Sequence, residues 1–358
     1  MDQYALGWSE VWDHHLENYS VESVVRIVAR HKNSYRALGM DGKNWNCQLS
    51  GRMVHEAELG QMLPAVGDWC ALGASFLNES NELAALVETV FERRSQLARM
   101  VAGLETDTQI LAANVDFVFI VTSMNKEFNI NRLRRYVLIA EYGGVQPIIV
   151  LSKSDLAENI ADVHSELQSA FPQVPFMTTS SVYRSGLDDI NARLVTGKTA
   201  VFVGSSGVGK STLVNTLLSQ EIQKTRDIRG NDDHGRHTTS SAGLFFMPSG
   251  GMIIDTPGLR EVQILGTEEQ LNQMMPSVSE FAAQCKFHDC SHSNEPGCAV
   301  VEALEQGDLE ESEFNSYLKL EREVAYGRRK LDQKLANAER KKWKKIAIDN
   351  RKRKNEYR

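Results

Sequence analysis

Nine consecutive residues, Gly204, Ser205, Ser206, Gly207, Val208, Gly209, Lys210, Ser211 and Thr212, have the spacing G-x-x-x-x-G-K-[ST]. Glycines at these positions let successive backbone N–H groups turn inward around phosphate oxygens. Lys210 then reaches the β and γ phosphates, and the Ser211 hydroxyl is placed to bind Mg²⁺. The apolar run TAVFV precedes the motif and TLVNTLLS follows it, which is the strand, loop and helix context such a loop requires. A bound triphosphate is the expectation.

Phosphoryl chemistry also needs a carboxylate near the metal, best supplied from the end of a neighbouring strand. Asp255 closes the apolar run MIID and opens Asp255-Thr256-Pro257-Gly258. The Gly258 N–H is then placed to meet a γ-phosphate, whose loss on hydrolysis would release the segment that follows. Between these motifs lies a polar run, 227–243, in which Thr238 or Thr239 is able to complete the metal shell. Many GTPases orient the attacking water with a Gln directly after the DxxG glycine. Leu259 stands there and cannot hydrogen-bond, so His237 is the candidate to orient water near neutral pH.

Upstream, the apolar run PIIVL ends in Ser152-Lys153-Ser154-Asp155. A carboxylate at Asp155 can accept from both N1–H and the 2-amino group of guanine, and adenine offers neither donor. The aliphatic stem of Lys153 can lie along the base. A second loop, Thr178 to Ser181, follows the run VPFM, and backbone amides around Ser180 and Ser181 are candidates to meet the guanine O6. K-x-D alone is a common triplet, so its position after a buried strand carries the reading.

Cys285, Cys290, His292 and Cys298 follow C-x4-C-x-H-x5-C. Three thiolates and an imidazole satisfy a tetrahedral Zn²⁺ with no open position, which marks a structural site. On spacing alone, His288 rivals His292 as the fourth ligand. Cys47 and Cys70 stand apart and are expected to be small buried residues.

The elements needed to position these groups are legible in outline. Residues 21–91 alternate short strand-like runs with Gly and Asp punctuation, which predicts a small β-barrel, the oligonucleotide-binding type among the candidates. From about residue 112, apolar strands alternate with helical stretches, predicting a parallel sheet covered on both faces. GLFFMPSGGMIID reads as a hairpin turned at Ser249 to Gly251, and beyond Gly266 the chain becomes helical and polar.

The chain has 358 residues, 42% of them hydrophobic, and a net charge of −7, which excludes a collagen or a wholly disordered polymer. At roughly 150 residues per domain, two to three domains are expected. There is no membrane-length apolar run and no signal-like N-terminus, so a cytoplasmic protein is expected. Residues 322–358 hold 15 Lys and Arg against 5 Asp and Glu, a basic end on an acidic body, which suggests a polyanionic partner.

In ordinary GTPases the phosphate loop precedes the base loops, whereas here it follows them. The same sheet can be assembled from a circularly permuted chain. This order, with GRHTT at 235–239 and DTPG at 255–258, resembles the circularly permuted GTPases. AANVDFVFIV at 112–121 and CKFHDCSHSNEPGCAV at 285–300 narrow the likeness to the ribosome small subunit-dependent GTPase A family, over residues 21–330.

The resemblance implies a multi-domain protein: an N-terminal extension (1–20), an OB-type barrel (21–95), a circularly permuted α/β P-loop GTPase domain (96–264), a helical zinc-binding domain (265–330) and a basic C-terminal helix or tail (331–358). It implies a monomeric cytoplasmic enzyme, without a membrane, that hydrolyses GTP to GDP and phosphate. Its expected partner is the immature small ribosomal subunit with its rRNA, which stimulates turnover late in assembly. The family pattern favours His292 over His288 and gives His237 the water-orienting role. One departure stands out: Ser152 occupies a position usually held by Asn or Thr. A shorter side chain is expected to weaken the bracing of the base loop, while Asp155 preserves guanine preference.

Overall fold

The computed structural model describes residues 3–31, 34–58, 63–78, 81–100, 108–124, 128–157, 159–219, 242–256, 266–293 and 295–356. Strands β1 (Val24–Arg30), β2 (Tyr35–Gly39), β3 (Asn44–Leu49), β4 (Trp69–Leu77) and β5 (Leu83–Val90) carry apolar residues on the face that meets across the barrel. β1 pairs antiparallel with β2 and β4, β2 with β3, and β4 with β5; a parallel β3–β5 pairing closes the ring. This is the OB-type connectivity, with helix α1 (Gly51–Glu58) between β3 and β4, and closure removes the free strand edges. Val25, Ile27, Ala37, Cys47, Cys70 and Val87 fill the interior. Burial pushes the Cys47 thiol up to about 12 and raises the Cys70 thiol well above its ordinary value, so both behave as packing residues and not as thiolates.

Residues before the barrel are not free of it. Leu6, Trp8 and Trp12 are buried against Trp69 and Phe91, with the Trp8 and Trp69 rings edge-to-face at 4.9 Å. The junction between barrel and sheet is held by Arg26, which is 1% exposed. Its guanidinium donates to the carbonyls of Leu6 (2.5 Å), Gly67 (3.2 Å) and Asn114 (3.2 Å) and to Thr199 Oγ1 (3.0 Å). Burial lowers its pKa to about 10, so it stays charged at neutral pH and is satisfied by oxygen dipoles.

A small hairpin, β6 (Gln96–Met100) and β7 (Thr108–Ala113), leads into the second unit. Its sheet comprises β8 (Phe117–Ser123), β9 (Gln146–Ser152), β10 (Phe176–Thr178), β11 (Thr199–Val203), β12 (Ala242–Phe246) and β13 (Met252–Asp255). The order is β10-β9-β8-β11-β13-β12, parallel except for β12. Two registered pairs, Ala29 with Gly243 and Arg30 with Ala242, join β12 to the barrel.

Along β8, Val118 and Ile120 pack on one face and Phe119 and Val121 on the other. The first face carries α2 (Ile130–Tyr142) and α3 (Ile160–Ala170); the second carries α4 (Leu187–Arg193) and α5 (Lys210–Ser219). Both faces are covered, as continuous apolar strands require. The chain builds outward from β8 to β9 and β10, then returns to place β11 on the other side of β8. That reversal makes a crevice at the carboxyl ends of β8 and β11, the place where such sheets bind ligands.

The third unit is helical: α6 (Glu268–Met274), α7 (Pro276–Ala282), α8 (Ala299–Gln306) and the long α9 (Glu311–Glu356). Thr267 and Gln270 form a reciprocal cap at the start of α6. Leu271, Val278, Val300, Tyr317, Leu320 and Val324 share a core that also takes in Leu138 of α2. Ion pairs from Arg134 to Glu313 (3.6 Å) and from Arg135 to Glu323 (2.8 Å) flank this contact. Among the described residues, no helix is long and apolar enough to cross a membrane.

Candidate functional site

β11 delivers the chain to the phosphate loop at the switch point, where the backbone must bend sharply. Gly204 takes φ +141°, and a Cβ there would lie 2.2 Å from the Val121 carbonyl, so only glycine fits. Gly207 and Gly209 also have positive φ, at +83° and +94°. Val208 is buried beneath the loop, while Ser206 and Gly207 are exposed at its tip. Lys210 opens α5, and its ammonium donates to the carbonyls of Gly204 and Ser205, both at 2.9 Å. Ser211 and Thr212 follow on the exposed side of the first turn.

The base loop lies against this phosphate loop. Ser152 is 4% exposed, and its hydroxyl reaches the carbonyls of Val208 (2.6 Å) and Thr122 (3.1 Å). Lys153 adopts a left-handed conformation, φ +57°, and its ammonium donates to the Gly207 carbonyl at 2.7 Å. Ser154 donates its N–H to Thr179 O at 3.2 Å, and Asp155 accepts from the Ser180 hydroxyl at 2.5 Å. Ser180 and Ser185 exchange backbone hydrogen bonds of 3.1 Å, closing the turn that contains Ser181. Segments distant in the chain thus meet at the carboxyl ends of the strands, with the base loop on β9 and β10 and the phosphate loop on β11.

Ser152 therefore ties the base loop to the phosphate loop and to β8 despite its short side chain. One hydroxyl proton serves two carbonyls, so removal leaves both under-satisfied. Ser152→Ala is expected to cost about 1–2 kcal/mol of stability and to weaken nucleotide binding several-fold. Urea titration with nucleotide calorimetry measures both, and unchanged affinity would show the brace to be dispensable.

Asp255 ends β13 one residue beyond the Ile254–Val201 pair, level with the last residues of β11. A carboxylate and a hydroxyl are hard oxygen donors of the kind Mg²⁺ takes. Thr238, Thr239, Gly258 and His237 lie outside the described residues. Arg132, in the first turn of α2, was missed from sequence; its guanidinium donates to Ser205 Oγ at 2.5 Å. The only signal was a basic run, NRLRR, opening the helix after a buried strand.

The second cluster sits between α7 and α8. Cys285 Sγ lies 3.9 Å from Cys298 Sγ and 3.5 Å from His292 Nδ1, and Cys298 Sγ lies 3.6 Å from the same nitrogen. With Cys290, all the donor atoms fall within 4.8 Å of one another, and His288 is outside the group. A tetrahedron with metal–sulfur bonds of about 2.3 Å has edges of about 3.7 Å, so these residues can hold a metal ion. His292 has φ +55°, and Glu295 holds that turn by accepting from the amides of Ser291 and Ser293, both at 3.0 Å. The Ser291 hydroxyl and these amides keep the Glu295 carboxyl at about 2, ionised at any working pH.

A phosphate loop bound to a base loop that precedes it in sequence, on a sheet joined in rotated order, defines a circularly permuted P-loop GTPase fold. The model of the RsgA GTPase family matches residues 90–265. The small ribosomal subunit biogenesis GTPase RsgA 2 of Lactiplantibacillus plantarum is 42% identical over 84% of this chain and 83% of its own. RsgA 2 of Vibrio parahaemolyticus is 37% identical over 98% of this chain and 94% of its own. Among solved structures, YjeQ from Thermotoga maritima superposes with a TM-score of 0.59 at 26% identity, covering 85% of this chain and 98% of that one. YloQ, described as a circularly permuted GTPase, gives 0.54 at 26% identity, with coverage of 84% and 94%. The chain belongs to the RsgA GTPase family.

Proposed function

We propose that this protein hydrolyses GTP to GDP and phosphate and acts with the small ribosomal subunit and its rRNA in the late maturation of that subunit, as a cytoplasmic monomer. The observation that carries the nucleotide reading is the pair of ties between the loops, Ser152 to Val208 and Lys153 to Gly207. They bring the carboxylate that reads guanine and the lysine that meets phosphate to the same carboxyl end of the sheet. The maturation role rests on the names of the relatives and on the basic end of α9.

In this reading Ser152, Lys153, Ser154, Asp155, Ser180 and Ser181 hold the base, and Gly204 to Thr212 with Gly258 hold the phosphates. Ser211 and Asp255, with Thr238 or Thr239, would hold Mg²⁺, which neutralises charge on the β and γ oxygens when bound. Lys210 aims a fixed positive charge at the same oxygens. Water orientation falls to His237, since Leu259 can neither donate nor accept. Zn²⁺ at Cys285, Cys290, His292 and Cys298 is structural, substituting for part of a core in a small polar unit. Residues 21–95, 96–264 and 265–330 serve as the rRNA-facing barrel, the GTPase domain and the zinc-binding domain, with 1–20 an N-terminal extension and 331–358 an additional basic contact.

Hydrolysis of GTP and ATP, each with and without purified small subunits, tests the whole reading. GTP alone is expected to turn over slowly, and subunits are expected to accelerate it; equal use of ATP would reject the guanine reading. His237→Ala should reduce the subunit-stimulated rate on the order of 10²-fold with little change in GTP affinity. Equal stimulated rates in parent and variant would remove His237 from the mechanism.

A further inference from the structure

One cluster of ligating side chains lies far from both sites. The 3₁₀ helix Glu10–Glu17 runs along the rim of the barrel and places His14 and His15 beside Glu92, the second residue after β5. The Nε2 atoms of His14 and His15 lie 3.6 and 2.7 Å from the two oxygens of the Glu92 carboxylate. All the donor atoms fall within 4.8 Å of one another.

Each group is held from behind. His14 Nδ1 is 2.9 Å from the Val11 carbonyl. The His15 ring stacks on Phe91 at 3.8 Å and 5°, and the Glu92 carbonyl accepts from Trp12 Nε1 at 2.8 Å. These contacts fix the approach of each donor, as supporting contacts do in established metal sites.

The tautomers carry the argument further. A backbone carbonyl can only accept, so His14 Nδ1 carries the proton and donates to Val11 O. In the neutral ring Nε2 is then a bare lone pair, and it faces a carboxylate that also only accepts. Two electron-rich groups directed at each other are satisfied by a shared cation, either a second proton on the imidazole or a metal ion. His14 is 58% exposed and Glu92 48%, so an ion can reach the gap from solvent.

We propose that His14, His15 and Glu92 form a second metal site, taking a divalent first-row transition ion of the Zn²⁺ type, which fastens the N-terminal segment to the barrel. Two imidazoles and one carboxylate suit such an ion and leave room for water in the remaining coordination position. On binding, the ion replaces the proton between His15 Nε2 and Glu92, which passes to solvent from the imidazolium or, in the neutral ring, moves to Nδ1. The ligands come from segments 77 residues apart, so the ion closes a long loop directly after Trp12.

The test is equilibrium dialysis of the full chain against buffered free Zn²⁺, with zinc counted per chain and tryptophan fluorescence recorded. The tightly held ion at the cysteine cluster remains as the first equivalent in all samples. The parent is expected to take up a second, exchangeable equivalent with a fluorescence change at the same free Zn²⁺. His14→Gln and Glu92→Gln are expected to weaken this second equivalent at least about tenfold. Gln at 92 keeps an oxygen that can accept from His15 and leaves the backbone contact to Trp12, so circular dichroism should match the parent. A parent with only one equivalent overturns the proposal. So does a second equivalent bound equally by the parent and both variants.

Discussion

Lys210→Ala is expected to lower kcat/KM for GTP on the order of 10³-fold, most of it in kcat. The ammonium already sits over the loop, held by the Gly204 and Ser205 carbonyls at 2.9 Å. Little reorganisation is therefore needed to present it to phosphate, and preorganised charge is what lowers a barrier in which charge moves onto phosphate oxygens. Ground-state binding loses less, because the glycine-rich backbone still offers its N–H groups. Lys210→Arg is expected to fail as well, since a planar fork cannot replace a compact ammonium inside so tight a loop. Single-turnover hydrolysis alongside nucleotide calorimetry separates the two effects. A rate within tenfold of the parent would remove Lys210 from the phosphate site.

Metal removal is expected to have the largest effect on folding. Cys298 is buried and stands immediately before α8, and the His292 ring packs edge-on against Phe314 of α9 at 6.3 Å. The ligand cluster therefore fixes the ends of the helices that share the core around Leu271, Val278 and Val300. Structural zinc contributes about 10–16 kcal/mol in isolated zinc-finger peptides, and an apolar core that survives alone makes the loss smaller here. Cys285→Ser, or chelation of the parent, should leave residues 276–306 exchanging amide hydrogens at least about a hundredfold faster, with GTP binding retained. Hydrogen exchange measures this directly. Equal protection with and without metal would show that the cluster is not structural.

The parts of this molecule that could be read from sequence are those whose chemistry is local. The phosphate loop needs only a strand, three glycines and a helix in succession, and its residues carry that information themselves. The alternation of apolar strands with helices likewise required a parallel sheet, and the reversed motif order required a permuted one. The barrel was legible as short strands, but the parallel β3–β5 pairing that closes it joins segments that no local pattern connects.

Arg26 was invisible for a related reason. An arginine among valines in β1 reads as a surface residue, yet carbonyls from three separate segments and one threonine hydroxyl surround it. Trp8 and Trp12 had no partner until the fold brought Trp69 and Phe91 beneath them. Ser152 carries the opposite lesson. Its identity suggests a weaker brace, and its buried hydroxyl reaches the phosphate loop at Val208 and strand β8 at Thr122.

In the proposed site Asp155 reads guanine and Lys210 meets phosphate in one pocket, despite their reversed order in the chain. Competition calorimetry of GTP against ATP on the intact protein and on Asp155→Asn tests it most directly. Two hydrogen bonds to a charged acceptor predict GTP favoured over ATP by about 10²–10⁴-fold in the parent, with most of that preference lost in the variant. ATP bound by the parent within tenfold of GTP, or a preference that survives the substitution, would show that Asp155 does not read the base.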